Sequence, residues 1–243
     1  MAANTVGIHH PLIKHLAQLK ANRDYRFECG KVVVEGEKLI RDLCKTVGFE
    51  HLIVLDSITM PNPMDKAHVT QVSEEVMKKI THLPSPPSMI AEFPMPKQST
   101  LQGLKWIIVL DRLQDPGNVG ALLRSALALG WEGAYLIDSV DPFNDKVLRS
   151  AREAAFHLPF RIGSQEEFFK LAAGQNWQIV RADMKGDKPE KIPQGALVIG
   201  NEGQGVHEAF KTYKAFTIPM SEKLDSLNAS CAGSILMYAL RGI

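Results

Sequence analysis

The sequence predicts an α/β protein made of a smaller N-terminal domain and a larger C-terminal domain. Short apolar runs alternate with segments of helical periodicity, as in a largely parallel sheet covered by helices on both faces. Five of the fourteen prolines lie between Pro84 and Pro96, and prolines at that density mark a connection or a sheet edge. We therefore place the boundary near residue 97, with domains at 1–96 and 97–243.

The N-terminal domain begins with a predicted amphipathic helix over 10–22. Its apolar positions Leu12, Ile13, Leu16 and Leu19 have the spacing of one helix face. A polar turn is expected next. Strands are then predicted at 31–36, 51–56, 68–72 and 88–93, helices at 37–46 and 73–80, and a loop at 57–67.

The C-terminal domain opens with the apolar run LKWIIVLD at 104–111, which is typical of a strand buried on both faces. Further strands are predicted at 133–138, 177–183, 196–200 and 215–220, and helices at 118–129, 145–156, 164–173 and from Ser226 onward. In such sheets, ligands bind at loops that follow the carboxyl ends of strands.

Composition favours an ordinary globular protein. The net charge is +1, and neither a membrane-spanning run nor a signal or transit peptide is evident. We expect a cytoplasmic protein without membrane contact, and leave open an organelle reached by a transit peptide since removed. Cys29, Cys44 and Cys231 lack C-x-x-C spacing, which argues against a zinc site and a disulfide framework, and no metal is expected.

The first 26 residues carry four cations against a single acid. Lys14, Lys20, Arg23 and Arg26 oppose Asp24 alone. Two interpretations stay open, a basic face for nucleic acid or an ordinary solvated helix.

The loop after the strand at 104–110 begins the stretch DRLQDPGNVGALLRSA. Asn118 can cap the helix that follows, and Gly120 lets a backbone or a ligand come near. Arg124 lies on the second helical turn among apolar residues. An arginine there pairs with an acid, extends along the apolar surface, or grips a phosphate with its guanidinium fork.

Two later stretches carry further unusual residues. GNEGQGV at 200–206 places three glycines around Glu202, as in a tight loop around a ligand, but it is neither a dinucleotide fingerprint nor a P-loop. In the stretch 217–240, Ser226 is the predicted N-cap, and with Asn228 it forms a natural site for anionic groups. Small residues at 229–234 permit close approach of a helix, a subunit or a ligand.

Together these stretches resemble the SpoU (TrmH-type) family of RNA ribose 2'-O-methyltransferases, within the SPOUT superfamily. NVGALLRSA is similar to the first family motif, LVIGNEGQGV to the second and IPMSEKLDSLNAS to the third. The matching positions are Asn118, Arg124, Gly200, Glu202, Gly205, Pro219, Met220, Ser226, Leu227 and Asn228. HPLIKHLAQLKANRDYR and VVVEGEKLI are similar to the family's RNA substrate-binding domain, which has an L30-like fold.

The resemblance implies S-adenosylmethionine-dependent 2'-O-methylation of a ribose in RNA, ribosomal RNA first and transfer RNA as the alternative. It implies that domain 1–96 binds the RNA and that domain 97–243 is a trefoil-knotted methyltransferase domain. A homodimer is expected. The segment RSAREAAF departs from the family pattern, which commonly has Ser and Gly where Ala151 and Glu153 stand.

The resemblance also implies roles for individual residues. We interpret Arg124 as a phosphate anchor that stabilises the forming alkoxide, because arginine resists deprotonation in proteins. The other implied catalytic-site residues, which order the loops and hold the target nucleotide, are Asn118, Glu202, Ser226 and Asn228. The implied cofactor-binding residues are Gly200, Asn201, Gly205, Ile218, Met220 and Leu227.

Two other functions are considered. One is an RNA-binding ribosome-assembly factor that keeps the fold without catalysis, and the retained motif residues argue against it. The other is a nucleotide-dependent oxidoreductase on a doubly wound sheet, which would need a phosphate fingerprint that this sequence lacks.

Overall fold

The computed structural model describes residues 6–57, 69–221, 223 and 226–242. The chain divides into two compact units. The first comprises Met1–Pro96 with Phe143–Asp145, and the second Lys97–Pro142 with Lys146–Ile243. In the described ranges, no helix is long and apolar enough to cross a membrane.

The first unit contains a four-stranded sheet in the order β1-β4-β2-β3. Its strands are β1 (Lys31–Glu35), β2 (His51–Leu55), β3 (Val69–Val72) and β4 (Met89–Pro94). Strand β4 is antiparallel to β1 and β2, and β3 is parallel to β2. The helices are α1 (Pro11–Ala21), α2 (Arg23–Cys29), α3 (Glu37–Leu43) and α4 (Glu74–Thr81). Leu16 of α1 and Met77 of α4 share a buried cluster with Ile53 and Ile90 of the sheet.

One prediction for this unit needs correction, and another is not tested. The polar turn after α1 is wrong, because α2 forms there. Asn22 caps α2 by accepting the Tyr25 N–H at 3.0 Å, and Gly30 ends it at φ 64°. The predicted loop at 57–67 lies, apart from Ser57, outside the described residues.

Of the four cations near the N-terminus, for which the sequence leaves two interpretations open, the structure exposes only two. Lys20 pairs with Glu35, and the two side chains are only 5% and 7% exposed. The buried Arg26 guanidinium donates to the Leu19 carbonyl at 2.7 Å. Lys14 and Arg23 are exposed, so these two alone, of the four, can face an RNA.

The second unit contains a six-stranded, fully parallel sheet in the order β10-β8-β9-β5-β6-β7. Its strands are β5 (Trp106–Asp111), β6 (Gly133–Ile137), β7 (Phe160–Ile162), β8 (Gln178–Asp187), β9 (Gly195–Gly200) and β10 (Lys214–Phe216). Its helices are α5 (Pro116–Ala128), α6 (Asp145–Ala151), α7 (Ala154–His157), α8 (Gln165–Gln175) and α9 (Ala229–Arg241). A short 3-10 helix spans Glu208–Phe210.

Helices cover both faces of this sheet. Val109 of β5 packs with Phe168 of α8 in one buried cluster. On the other face α5 and α9 pack together. A Cβ on Gly233 of α9 would lie 2.4 Å from Leu122 of α5 and 3.3 Å from Ile199 of β9. The small residues of the C-terminal helix therefore serve close packing within the chain at Gly233.

Four element predictions in this unit are corrected. The single helix expected at 145–156 is interrupted, because Arg152 has φ 56° and separates α6 from α7. The strand predicted at 215–220 ends at Phe216, and β7 was not predicted. Asp115, and not Asn118, caps α5, and Asn228, and not Ser226, caps α9.

The trefoil knot stays a prediction. It depends on the path between β10 and α9, where Glu222, Leu224 and Asp225 lie outside the described residues.

Candidate active site

The three motifs meet at the carboxyl edge of the parallel sheet. Strand β5 leads through Asp115 into α5, and Asp115 accepts the Asn118 N–H at 2.7 Å. Strand β9 leads into residues 201–207, here called the motif-two loop. The register pairs Asp111 with Gly200, so β5 and β9 end side by side. The first and second motifs are adjacent for this reason.

Asn118 joins all three motifs. Its amide nitrogen donates to the Glu202 carboxylate, and its amide oxygen accepts from the Asn228 side chain at 2.9 Å. Asn118 is buried, whereas Glu202 and Asn228 are exposed. Asn118 therefore uses both ends of its amide to connect residues that project from two different loops.

Asn228 also fixes the start of α9. Its side-chain oxygen accepts from the main-chain N–H groups of Ser230 at 2.9 Å and Cys231 at 3.3 Å, as N-caps do. Ser226 is exposed and makes no hydrogen bond with any residue in the described part of the chain. The structure thus brings Asn118, Glu202 and Asn228 together but leaves Ser226 outside that network.

The motif-two loop closes back on its own first residues. Asn201 accepts the Gly203 and Gln204 N–H groups at 2.9 and 3.0 Å, and its main chain pairs with Gly205, which has φ 68°. A Cβ on Gly200 would lie 2.5 Å from the Gly205 carbonyl carbon. The protein's own backbone already requires glycine at position 200.

Gly120 serves a similar purpose on α5. A Cβ there would lie 2.6 Å from the Val147 carbonyl oxygen and 2.5 Å from the Ser150 Cβ. Of the two neighbours considered from the sequence, a backbone or a ligand, the structure places the α6 backbone against Gly120.

Arg124 projects from the exposed side of α5, between the buried Leu123 and Ala126. Across the described ranges, no hydrogen bond or ion pair involves its guanidinium. No acid holds it there, so the guanidinium is available to an anion from solution.

Three residues between β10 and α9 have main-chain groups without partners among the described residues. No backbone hydrogen bond of Ile218, Met220 or Leu227 to another described residue is formed. The Met220 side chain is 38% exposed, which adds apolar surface next to these groups in the sequence. As far as this segment is described, it combines unpaired polar main-chain groups with exposed apolar surface.

Three residues near the site were missed from the sequence. Asp111, at the end of β5, is fully buried and accepts the His207 N–H at 2.7 Å, and Arg112 donates to the Gly205 carbonyl at 3.1 Å. The available signal was a carboxylate directly after a buried apolar strand, at the sheet edge where ligands bind. In the part of the chain described, no group of three or more His, Cys, Asp or Glu side chains could hold a metal ion.

Comparisons with known proteins match both units. The sequence model of the SpoU rRNA Methylase family matches residues 105–238, and that of the MRM3-like substrate binding domain matches residues 10–91. The 23S rRNA (guanosine(2553)-2'-O)-methyltransferase RlmP of Bacillus subtilis is 30% identical over 226 residues, covering 89% of this chain and 91% of that protein.

Two further proteins extend the comparison. The human mitochondrial rRNA methyltransferase 3 is 25% identical, covering 89% of this chain and 69% of that protein. A crystal structure of an AdoMet-bound rRNA methyltransferase from Sinorhizobium meliloti has a TM-score of 0.83 at 24% identity, covering 98% of this chain and 97% of that one. The structural likeness confirms the predicted fold class. The family model matches more than half of the chain, and the alignment with the Bacillus subtilis protein covers most of both proteins. The chain therefore belongs to the SpoU rRNA Methylase family.

Proposed function

We propose that this chain transfers the methyl group of S-adenosylmethionine to a ribose 2'-hydroxyl of ribosomal RNA. The chain is a methyltransferase by its family, and the observation that carries the proposal is the hydrogen-bonded chain Glu202–Asn118–Asn228. That chain joins the three motifs, and Arg124, on the same helix as Asn118, has a guanidinium without a partner among the described residues and open to a phosphate. The relatives named above as rRNA methyltransferases support the ribosomal target.

The main-chain groups of the second and third motifs are suited to binding the adenosyl part of the cofactor. Adenosine is recognised by main-chain donors and acceptors together with apolar contacts. Ile218, Met220 and Leu227 provide such groups, since their main chain is unpaired among the described residues and Met220 is exposed. When bound, S-adenosylmethionine supplies an electrophilic methyl group on a positively charged sulfur. We assign its binding to these residues with Gly200, Asn201 and Gly205.

Arg124 holds the RNA and favours ionisation of the hydroxyl. Its fork binds a phosphate of the target nucleotide bidentately. Its positive charge then stabilises the oxygen as the proton leaves, and a phosphate oxygen accepts that proton. Arg124 itself stays protonated throughout.

The three hydrogen-bonded side chains fix the positions of the two loops relative to α5. Asn118 is the third residue of α5 and lies on the same helix as Arg124. Because Asn118 is hydrogen-bonded to Glu202 and Asn228, movement of either loop would displace the Asn118 side chain on α5. We assign Asn118, Glu202 and Asn228 to ordering the site and holding the target nucleotide, and Ser226 to contact with that nucleotide.

Residues 1–96 are assigned to RNA binding and residues 97–243 to methyl transfer. The match of residues 10–91 to a substrate binding domain supports this division. Lys14 and Arg23, both exposed, are the cations of the first 26 residues that we assign to phosphate contact.

We also propose a homodimer. Ile235 and Tyr238 of α9 are 45% and 53% exposed, and Leu127 of the adjoining α5 is 37% exposed. Large apolar side chains gathered on two packed helices are expected to be covered by another protein surface. The protein would act where ribosomal RNA is found, in the cytoplasm or in an organelle with its own ribosomes.

The decisive experiment is methyl transfer to defined RNA. Purified protein is incubated with tritiated S-adenosylmethionine and with ribosomal or transfer RNA from cells that lack the gene, and 2'-O-methyl sites are mapped in parallel. We expect label at one ribosomal ribose, the same one that loses its methyl group in the deletion strain. Label in transfer RNA would favour the alternative substrate. RNA binding without label, and without cofactor binding by calorimetry, would favour the assembly factor.

A further inference from the structure

The end of the motif-two loop is fixed to the end of β5 through Asp111. The Asp111 side chain has no exposed surface. One carboxylate oxygen accepts the main-chain N–H of His207 at 2.7 Å, and the other is hydrogen-bonded to the His207 ring Nδ1. A buried carboxylate needs partners of this kind. Both hydrogen bonds come from His207, and the Arg112 guanidinium adds an ion pair at 3.8 Å. His207 is therefore held by its main chain and its ring together.

Arg112 holds the same loop at two further points. Its guanidinium donates to the Gln204 side-chain oxygen at 3.3 Å and to the Gly205 carbonyl at 3.1 Å. Its own carbonyl accepts from the Asn201 side chain at 3.1 Å. Arg112 thus contacts both the first residue of the loop and the residues that follow its tip.

The backbone of Arg112 is strained. Its φ is 58°, in the left-handed region where the Cβ of an L-residue comes too close to the following carbonyl oxygen. Its N–H donates to the Ile137 carbonyl at 2.8 Å, so this conformation is fixed from β6 as well. Strained residues that their surroundings hold in place occur preferentially at functional sites.

We propose that Arg112 and His207 are positioning residues that lock the motif-two loop in its functional shape. The locked loop presents Glu202 to Asn118 and its main chain to the adenosyl group, an assignment that rests on the proposed function. A glycine-rich loop has many conformations to lose on binding, so fixing it beforehand lowers the cost of binding the cofactor.

Four variants separate positioning from general stability. Arg112→Met keeps the length of the side chain and removes its donors. His207→Phe keeps a ring but removes Nδ1, whereas His207→Asn can restore a donor near that place. Lys211→Met is the matched control, because the Lys211 ammonium pairs with Glu208, beyond the loop.

The first measurement is hydrogen exchange in the protein without cofactor. We expect the amides of Gly203, Gln204 and Gly205 to exchange about tenfold faster in Arg112→Met and His207→Phe. His207→Asn and the control should match the unaltered protein. Unchanged exchange in both Arg112→Met and His207→Phe would overturn the proposal.

The second measurement is cofactor affinity by calorimetry, with the melting temperature recorded beside it. S-adenosylmethionine should bind about tenfold more weakly to Arg112→Met and His207→Phe, and normally to His207→Asn. Faster exchange with unchanged affinity would overturn the link to the cofactor. If the unaltered protein bound no S-adenosylmethionine, the proposed function would fail while the exchange data still decided the role of these residues. Should Arg112→Met not fold, Arg112→Lys gives both measurements with the charge retained.

Discussion

The Asn228 side chain donates to the Asn118 side chain at 2.9 Å and so joins residues 110 positions apart in the sequence. The same Asn228 caps α9, and the same Asn118 donates to Glu202. A change at any one of these three residues should therefore alter the other two.

Asn118→Asp should disable the site. An aspartate cannot donate to Glu202 and would place a second carboxylate beside it. We expect methyl transfer to fall at least about tenfold, since loss of a buried hydrogen bond costs about 1–3 kcal/mol. The double variant Asn118→Asp/Glu202→Gln restores a donor on the other side of the bond. This double variant should be more active than Asn118→Asp, as measured by tritium transfer to RNA. If its activity did not recover, the assigned hydrogen bond would be contradicted.

Arg124→Ala should lose activity without losing stability. Its side chain is exposed and has no partner in the described ranges, so the free energy of unfolding should change by less than about 0.5 kcal/mol. Turnover should fall about 100-fold or more. Arg124→Lys should remain poor, because it keeps the charge but lacks the fork. Near-normal turnover of Arg124→Lys at high pH would instead identify a base. Lys170→Ala, an exposed change on α8, is the control.

Gly200→Ala should disturb the motif-two loop itself. Its Cβ would lie 2.5 Å from Gly205, and overpacking of this kind costs about 1–3 kcal/mol. Unfolding free energy and cofactor affinity should fall together. At Gly203 an added Cβ meets only the Asn201 side-chain oxygen, at 3.5 Å, so Gly203→Ala should be tolerated. Equal effects in the two variants would contradict this account.

Glu92 should make the protein sensitive to acid. Burial raises the pKa of this carboxyl, but hydrogen bonds from His15 and His51 and the charge of Lys31 outweigh it, and the pKa lies below its ordinary value of 4.5. The ionised form therefore stabilises the fold above about pH 4.5, and this contribution is lost as the pH falls through the lowered pKa.

The test compares urea unfolding between pH 7 and pH 3 in three proteins. Glu92→Gln should be less stable at pH 7 and should lose less stability on acidification than the unaltered protein. Glu50→Gln, which removes the more exposed partner of Lys31, is the control. A pH dependence unchanged by Glu92→Gln would contradict the prediction.

The buried strands were predictable because their apolar runs are continuous, as at Trp106–Asp111 and Gly195–Gly200. The break at Arg152, where φ is 56°, was not predictable, because neither glycine nor proline marks it. Helix α2 was missed although Asn22 and Gly30 provide start and stop signals.

For the site, the motifs identified the segments but not the contacts within them. Nothing in the sequence indicates that Asn118, the third residue of α5, would bond to both Glu202 and Asn228. The burial of Lys20 could not be predicted either, because its partner Glu35 lies on a strand 15 residues away in the sequence. Charge counts along a chain cannot tell a solvated lysine from a paired one.

The hydrogen bond between Asn228 and Asn118 also sets when the enzyme can first act during its synthesis. Asn118 is translated long before Asn228, and domains fold from the N-terminus as they emerge from the ribosome. A nascent or prematurely terminated chain that ends before Asn228 lacks α9, its cap and the third motif. Such a chain leaves Leu122 and Ile199 without the Gly233 contact. We therefore expect unfinished copies to be unable to methylate RNA, even while they are still attached to a ribosome.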